Sequence, residues 1–172
     1  MHENDMAAAA ASPTSGRTWP VATALLLATL IAGTLDIGYA IVVSAFRGYK
    51  PLLICQSVAS GLLDKASFDG GVPTGALGLA LHFGMMTVIV LTYYLLSRRL
   101  PQLAQKPFLW GPLYGVGVFC VMNYIVVPNS AIGHTISRTV PLFIGEMFSH
   151  VVFVGLTIAW FVSRIRRNGG RA

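Results

Sequence analysis

Five strongly polar residues stand inside long apolar runs of the sequence and are its main candidates for chemistry: Asp36, His82, Asn123, Glu146 and His150. Carboxylates and imidazoles take up and release protons, and both bind cations or metals. An asparagine amide can hydrogen-bond either form of such a group. Ionisable side chains are costly within a bilayer, so their presence in apolar runs indicates a function or a strong structural need.

Four long apolar runs carry these residues and predict membrane-spanning helices. Of the 172 residues, 55% are hydrophobic and only 10% are charged, which excludes a typical cytosolic enzyme, a disordered scaffold and a disulfide-stapled secreted domain. Each run is long enough to cross the apolar core of a bilayer, about 30 Å thick, as a helix. The runs extend over residues 20–46, 72–97, 108–127 and 140–162.

The remaining segments predict one short helix and two tails. Over residues 51–68 apolar positions recur with helical spacing between polar ones, which predicts an amphipathic helix in the membrane interface or against the bundle. Residues 1–18 predict a disordered tail, 19–167 a single domain and 168–172 a second tail. The predicted fold is therefore all-α: a bundle of four transmembrane helices with a short interfacial helix in its first outer loop.

The distribution of basic residues predicts the orientation of this bundle. Eight Lys and Arg residues fall in the N-terminal tail, the second loop and the C-terminal tail, against four in the other loops. The positive-inside rule then places both termini in the cytoplasm, and we expect a multi-pass protein of the bacterial inner membrane. The first run is too long for the apolar region of a cleaved signal peptide, which predicts a retained span.

With the helices alternating in direction, all five polar residues fall in the outer half of the membrane. Glu146 and His150 are four residues apart and share a helix face. In the first run small residues recur every four positions around the acid, which predicts that this face lies inside the bundle. This stripe comprises Ala24, Ala28, Ala32, Asp36, Ala40 and Ser44. The sequence thus predicts one buried polar cluster to which all four helices contribute.

Three functions fit such a cluster. In the first hypothesis the cluster is a structural network that fixes helix register. In the second it is a protonatable site, open to the outside, for a proton, an ion or a small solute. In the second hypothesis Asp36 and Glu146 accept protons and His82 and His150 are their titrating partners. Each acid then either pairs with a protonated histidine or is itself neutral. The third hypothesis is a haem or transition-metal site with His82 and His150 as ligands, in an electron-transfer or membrane-complex assembly subunit.

Signals for an enzyme are missing from the sequence. Motifs such as H-E-x-x-H, G-x-S-x-G and the phosphate-binding glycine patterns do not occur, and Cys55 and Cys120 form no C-x-x-C pair. We therefore expect no enzymatic activity and no cofactor outside the haem or metal alternative. His134 and Arg138 in the third loop are expected to be solvated. The expected partners are the lipid bilayer and a second copy or a membrane complex, and not nucleic acid.

Five segments resemble those of uncharacterised bacterial inner-membrane proteins of about this length. They are GTLD at 33–36, QSVASG at 56–61, FDGG at 68–71, LALHF at 79–83 and NYIVVP at 123–128. The chain is more loosely similar to the YagU-like inner-membrane proteins, which have one histidine in a middle span and another in the last. The resemblance implies a four-helix bacterial membrane protein, and it implies no particular activity, ligand or catalytic residue.

Overall fold

Four long helices form the molecule, and each is long and apolar enough to cross a membrane. The structure, a computed structural model, describes residues 20–136 and 138–169. The first span is Val21–Ala45, the second Gly71–Arg99, the third Pro107–Val126 and the fourth Val140–Ile165. No strand occurs in the described residues, so the predicted all-α fold of four transmembrane helices is confirmed.

The ends of the spans follow the turn and proline signals of the sequence. Proline occupies the first helical turn of the third and fourth spans, where its missing N–H needs no partner. Gly48 has a positive φ of 84° after the first span, and Gly71 one of 58° at the start of the second. A short helix, Gln102–Gln105, lies in the second loop. The last helix continues to Gly169, into the predicted tail, whereas the predicted tail at 1–18 lies outside the described residues.

The first span packs between the second and the fourth spans, and the third span packs on the fourth. The small-residue stripe of the first span faces the interior as predicted, since Ala24, Ala28 and Ala32 are buried. The main apolar core surrounds Ala28 and Ala32 of this stripe. It comprises Ala28, Ala32, Met86, Val90, Tyr93, Leu103, Val118, Val154, Ile158, Ala159, Phe161 and Val162.

The helix of the first loop, Pro51–Leu63, hereafter the loop helix, packs tightly on the second span. A Cβ on Gly78 would overlap the Cys55 carbonyl, so only glycine permits this approach. Gln56 is buried, and its amide donates to the Gly71 carbonyl at 3.2 Å and to Thr74 Oγ1 at 3.3 Å. Polar Gln56 and Ser60 therefore face the bundle, and Gln56 fastens the loop helix to it, while Ser57 and apolar Leu62 are exposed, Leu62 to 60%.

Two spans contain π-helical segments in the half of the bundle nearer the loop helix. The third span ends as a π-helix over Met122–Val126, and the fourth is π-helical over Ser149–Leu156. π-Helices are rare and occur frequently at functional sites, because the wider turn redirects side chains and backbone carbonyls. Both segments contain residues of the predicted polar cluster.

Candidate functional site

A cavity of about 500 Å³ lies between the four spans at the end of the bundle that carries the loop helix. All five polar residues predicted from the sequence line it: Asp36, His82, Asn123, Glu146 and His150. The loop helix lines its outer part together with Ser130, Ile132, Ile136 and Arg138 of the third loop. The small-residue stripe of the first span continues into it, because Ala40 and Ser44 also face the cavity.

Asp36 is held by a neutral partner. Ser149, the first residue of the π-helical segment in the fourth span, donates its hydroxyl hydrogen to Asp36 Oδ1 at 2.6 Å. This bond joins the first and fourth spans, and Ser149 itself is buried. Among the residues that the structure describes, no cationic side chain bonds to the Asp36 carboxylate in the cavity, and its second oxygen stays available to an occupant.

Glu146, by contrast, has a cationic partner. Arg138 Nε donates to Glu146 Oε2 at 2.6 Å, and the Arg138 side chain is only 16% exposed against 39% for Glu146. The expectation that Arg138 is solvated is therefore wrong: it folds back from the third loop into the cavity wall. The structure also differs from the predicted pairing of acids with histidines, because serine and arginine take those places.

Both histidines of the cluster are oriented by backbone carbonyls. His82 Nε2 lies 2.9 Å from the Gly33 carbonyl of the first span, and His150 Nδ1 lies 2.9 Å from the Glu146 carbonyl. Since a carbonyl oxygen only accepts, each of these ring nitrogens carries the hydrogen and donates it. In the neutral rings this leaves His82 Nδ1 and His150 Nε2 as the nitrogens with a free lone pair.

Asn123 follows the same pattern. Its Nδ2 donates to the Phe119 carbonyl at 3.0 Å, four residues earlier in the third span, and the residue is 7% exposed. The Phe119 carbonyl also accepts from the backbone N–H of Met122, where the π-helical segment begins. The amide oxygen of Asn123 remains an acceptor at the cavity.

The rest of the wall is mainly apolar and aromatic. Tyr39 lies one turn beyond Asp36 and packs against Phe148 and Phe153, with ring centroids 6.3 and 5.8 Å away. Other apolar lining residues are Val43, Val58, Leu62, Leu81, Met85, Met122, Val126 and Leu142. A second, smaller cavity of about 140 Å³ adjoins Asn123 and Arg138 between the third and fourth spans.

No group of three or more His, Cys, Asp or Glu side chains that could hold a metal ion occurs in the part of the chain that the structure describes. Cys55 and Cys120 are both free thiols. Cys55 packs in the contact between the loop helix and the second span, whereas Cys120 is exposed on the third span. The pair therefore forms no disulfide.

Two partners in the site were missed from the sequence. Ser149 is adjacent to His150, but serine in a helix commonly bonds to its own backbone, and nothing in its spacing distinguishes it. Arg138 lies in a loop, and a charged loop residue is ordinarily solvated. Its distance of eight residues from Glu146 gives no helical register, since the fourth span begins at Val140, between the two residues.

The chain matches no protein-family model, no curated protein and no solved structure.

Proposed function

We propose that this protein is a multi-pass protein of the bacterial inner membrane that takes a small solute or ion into its cavity and exchanges it for a proton at Asp36. One observation supports this above all: the Asp36 carboxylate faces a cavity of about 500 Å³ among apolar helices, and its bonded partner is the neutral Ser149 hydroxyl. The proposed role is transport or binding without enzymatic chemistry.

An isolated carboxylate in an apolar bundle has two favourable states. It takes up a proton and becomes neutral, or it is neutralised by a cation beside it, because an uncompensated charge there is strongly unfavourable. A residue that alternates between these states couples binding to protonation. A purely structural bond between the first and fourth spans would not require a carboxylate, since two neutral groups can form it.

The shape of the bundle favours access from one end. Exposed residues such as Arg47 and Ser57 belong to the rim of the cavity, where solvent reaches it. The half of the bundle on the other side of Ala32 from Asp36 is filled by the apolar core around Val90 and Val154. This arrangement supports a blind binding cavity, as in a carrier in one of its states, over a continuous pore.

The count of basic residues supports cytoplasmic termini, and this orientation makes the periplasm the side from which the cavity fills. Lipid surrounds the spans in this proposal, and the resemblance to bacterial inner-membrane proteins is consistent with it. A homo-oligomer or a partner in a membrane complex is a further proposal, tested by native mass spectrometry of protein extracted from membranes.

Proton movement tests the proposed function directly. Purified protein is reconstituted in liposomes containing a pH-sensitive dye, a pH gradient is imposed, and Na⁺, K⁺ or ethylammonium is added in separate experiments as the exchanging cation. We expect protein-dependent proton flux, and we expect Asp36→Asn to reduce it to the level of empty liposomes, because the amide cannot accept a proton. Asp69→Asn, which changes an exposed acid outside the cavity, is the matched control and should retain the flux.

The structural alternative makes a different prediction for the same variants. If wild-type protein carries no flux and Asp36→Asn only lowers the unfolding temperature in detergent, the polar cluster is a packing device and the proposal fails.

A haem or transition-metal site is a second candidate, favoured by the orientation of the two histidines. Metal-bound histidines typically donate the other ring N–H to a carbonyl or carboxylate, as His82 does to Gly33 and His150 does to Glu146. Protein purified from native membranes would then show a Soret band or bound metal that His82→Ala removes. A colourless and metal-free preparation contradicts this candidate.

A further inference from the structure

We infer that the solute of this cavity is a protonated amine: a cation that brings its own N–H donors and carries a small apolar body. The inference rests on the proposed function, whose binding cavity it shares, and names the class of ligand. It follows from the hydrogen-bonding groups that remain unused around the cavity, from the placement of charge and from the nature of the walls.

Hydrogen-bond donors in the polar cluster are largely engaged within the protein. Ser149 gives its hydrogen to Asp36, and Asn123 gives one amide hydrogen to the Phe119 carbonyl. His82 and His150 each give a ring hydrogen to a backbone carbonyl. Apart from the second Asn123 amide hydrogen, what these groups still offer is lone pairs: the second Asp36 oxygen, the Asn123 amide oxygen and, in the neutral form of each imidazole, its second nitrogen. An occupant that satisfies them must be rich in donors.

The charges around the cavity favour a cation at its deep end. Within the described part of the chain, four charged side chains line the cavity: Asp36, Glu146, Arg138 and Arg47. Arg138 neutralises Glu146 through their ion pair. Arg47 lies beyond the end of the first span, exposed to solvent, with its guanidinium carbon 5.3 Å from the centroid of the Tyr49 ring. It is eleven residues from Asp36, or about 16 Å along a helix, where water screens its charge. The Asp36 carboxylate is therefore the locally unbalanced charge.

The walls indicate an apolar body on this cation. Leu81, Met85 and Met122 line the cavity from the second and third spans, and Tyr39 adds an aromatic ring close to Asp36. Methionine and aromatic side chains pack against varied apolar shapes, and an aromatic face attracts a cation. A strongly hydrated metal cation would instead require several oxygen ligands in place of this surface. The volume of about 500 Å³ lies in the range of small-molecule sites.

Three ligands of similar size separate the contributions of positive charge and of N–H donors to binding by the wild-type protein. They are phenethylammonium, phenethyltrimethylammonium and 2-phenylethanol. The first has charge and N–H donors, the second has charge alone, and the third has neither a charge nor an N–H group. Binding is measured by titration calorimetry in micelles at neutral pH, with protein-free micelles as the blank. We expect phenethylammonium to bind about tenfold or more tightly than both analogues, the factor for one hydrogen bond to a charged group.

Asp36→Asn tests which residue is responsible. We expect it to weaken phenethylammonium binding by about tenfold or more, while Asp69→Asn leaves the affinity unchanged. Equal affinity for the alcohol or for the quaternary cation overturns the inference, and so does failure of all three ligands to bind. Because the ligand series uses wild-type protein, it tests the ligand class even if a variant does not fold.

The outcome also separates this inference from the proposed function. Amine binding without any proton flux in liposomes would retain the ligand class and refute the exchange at Asp36. Asp36-dependent proton flux without amine binding would retain the exchange and refute the ligand class.

Discussion

Two carboxylates of the same cavity differ because of their partners. Glu146 contacts Arg138 in an ion pair, and Asp36 accepts a hydrogen bond from the Ser149 hydroxyl. An ion pair compensates both of its charges, whereas a carboxylate bonded only to a neutral hydroxyl group retains an uncompensated charge. We therefore propose that exchange takes place at Asp36 and that Glu146 has a positioning role, because its ion pair connects the third loop to the fourth span.

The Arg138–Glu146 pair should contribute measurably to stability. In a double-mutant cycle of Arg138→Ala and Glu146→Gln, we expect a coupling energy of about 1 kcal/mol, between the values for exposed and for buried pairs. The reason is that the arginine side chain is largely buried while the glutamate retains some exposure. The free energy of unfolding in mixed micelles gives the measurement.

The control for this cycle replaces Arg47, which also lines the cavity but lies over the Tyr49 ring. Arg47→Ala and Glu146→Gln should have additive effects on stability. A coupling near zero for Arg138 and Glu146 would show that the ion pair does not hold the third loop.

Residue types and spacing were sufficient to find the members of the cavity and insufficient to find their bonds. Asp36, His82 and Glu146 were identifiable because ionisable side chains are rare in apolar membrane helices. Ser149 is not ionisable, and Arg138 lies in a loop, where no helical repeat predicts the direction of a side chain. Whether two side chains bond depends on differences of an ångström or less in the distance between them. Counting residues along helices, in steps of 1.5 Å, cannot resolve such differences.

At the scale of elements, close contact between the third and fourth spans positions the π-helical segment. A Cβ on Gly115 would lie 2.7 Å from the Cα of Val151 and would overlap the His150 carbonyl. A Cβ on Gly155 would likewise lie 2.7 Å from the Gly115 backbone nitrogen. The two backbones therefore touch, and any side chain added there displaces the segment that carries Ser149 and His150.

Gly115→Ala should consequently damage the site as well as the fold. We expect it to lower the free energy of unfolding by about 1–3 kcal/mol, as overpacking does, and to reduce any Asp36-dependent flux, because Ser149 moves away from Asp36. Thermal unfolding in micelles and the liposome assay measure the two effects.

Gly117→Ala is the matched control on the same helix. A Cβ at Gly117 meets no described atom within 4 Å, so this variant should match wild type in stability and flux. Equal loss in both variants would mean that helix flexibility, and not the contact with the fourth span, is what glycine supplies.

The helices were largely predictable because a long apolar run in the sequence is a strong signal for a membrane-spanning helix. The four spans were predicted close to their observed bounds, since a bilayer sets a minimum helix length and prolines mark where helices start. The π-helical segments at 122–126 and 149–156 were not predicted, because a π turn has no compositional signature and is stabilised by tertiary contacts. The loop helix was predicted as amphipathic, but its close contact with the second span depends on Gly78 and on the hydrogen bonds of Gln56.

At the scale of the molecule, the bundle is asymmetric along its axis. One half is a close-packed core in which Ala28 and Ile158 have no exposed surface, and the other half encloses the cavity. The first span passes through both, with buried alanines on one side of Asp36 and cavity-lining residues on the other. Such a division gives a molecule with its cavity at one end, so its orientation decides which side of the membrane the cavity faces.

Cysteine labelling tests that orientation. In a background with Cys55→Ser and Cys120→Ser, we expect Ala131→Cys to react with a membrane-impermeant maleimide in intact spheroplasts, because residue 131 is exposed beside the cavity mouth. Gln105→Cys, which is exposed in the second loop at the opposite end, should react only after lysis. The charge count predicts this pattern, since the second loop lies on the side with eight basic residues.

The reverse labelling pattern would place the cavity on the cytoplasmic side. It would not affect the proposed ligand class, which depends on the lone pairs around Asp36, but it would change the side of the membrane on which the proposed exchange takes place. With a periplasmic cavity, Asp36 would exchange its cation and its proton with the periplasm. With a cytoplasmic cavity it would exchange both with the cytosol, so the labelling result determines to which face of the membrane the amine has to be presented in a binding or transport assay.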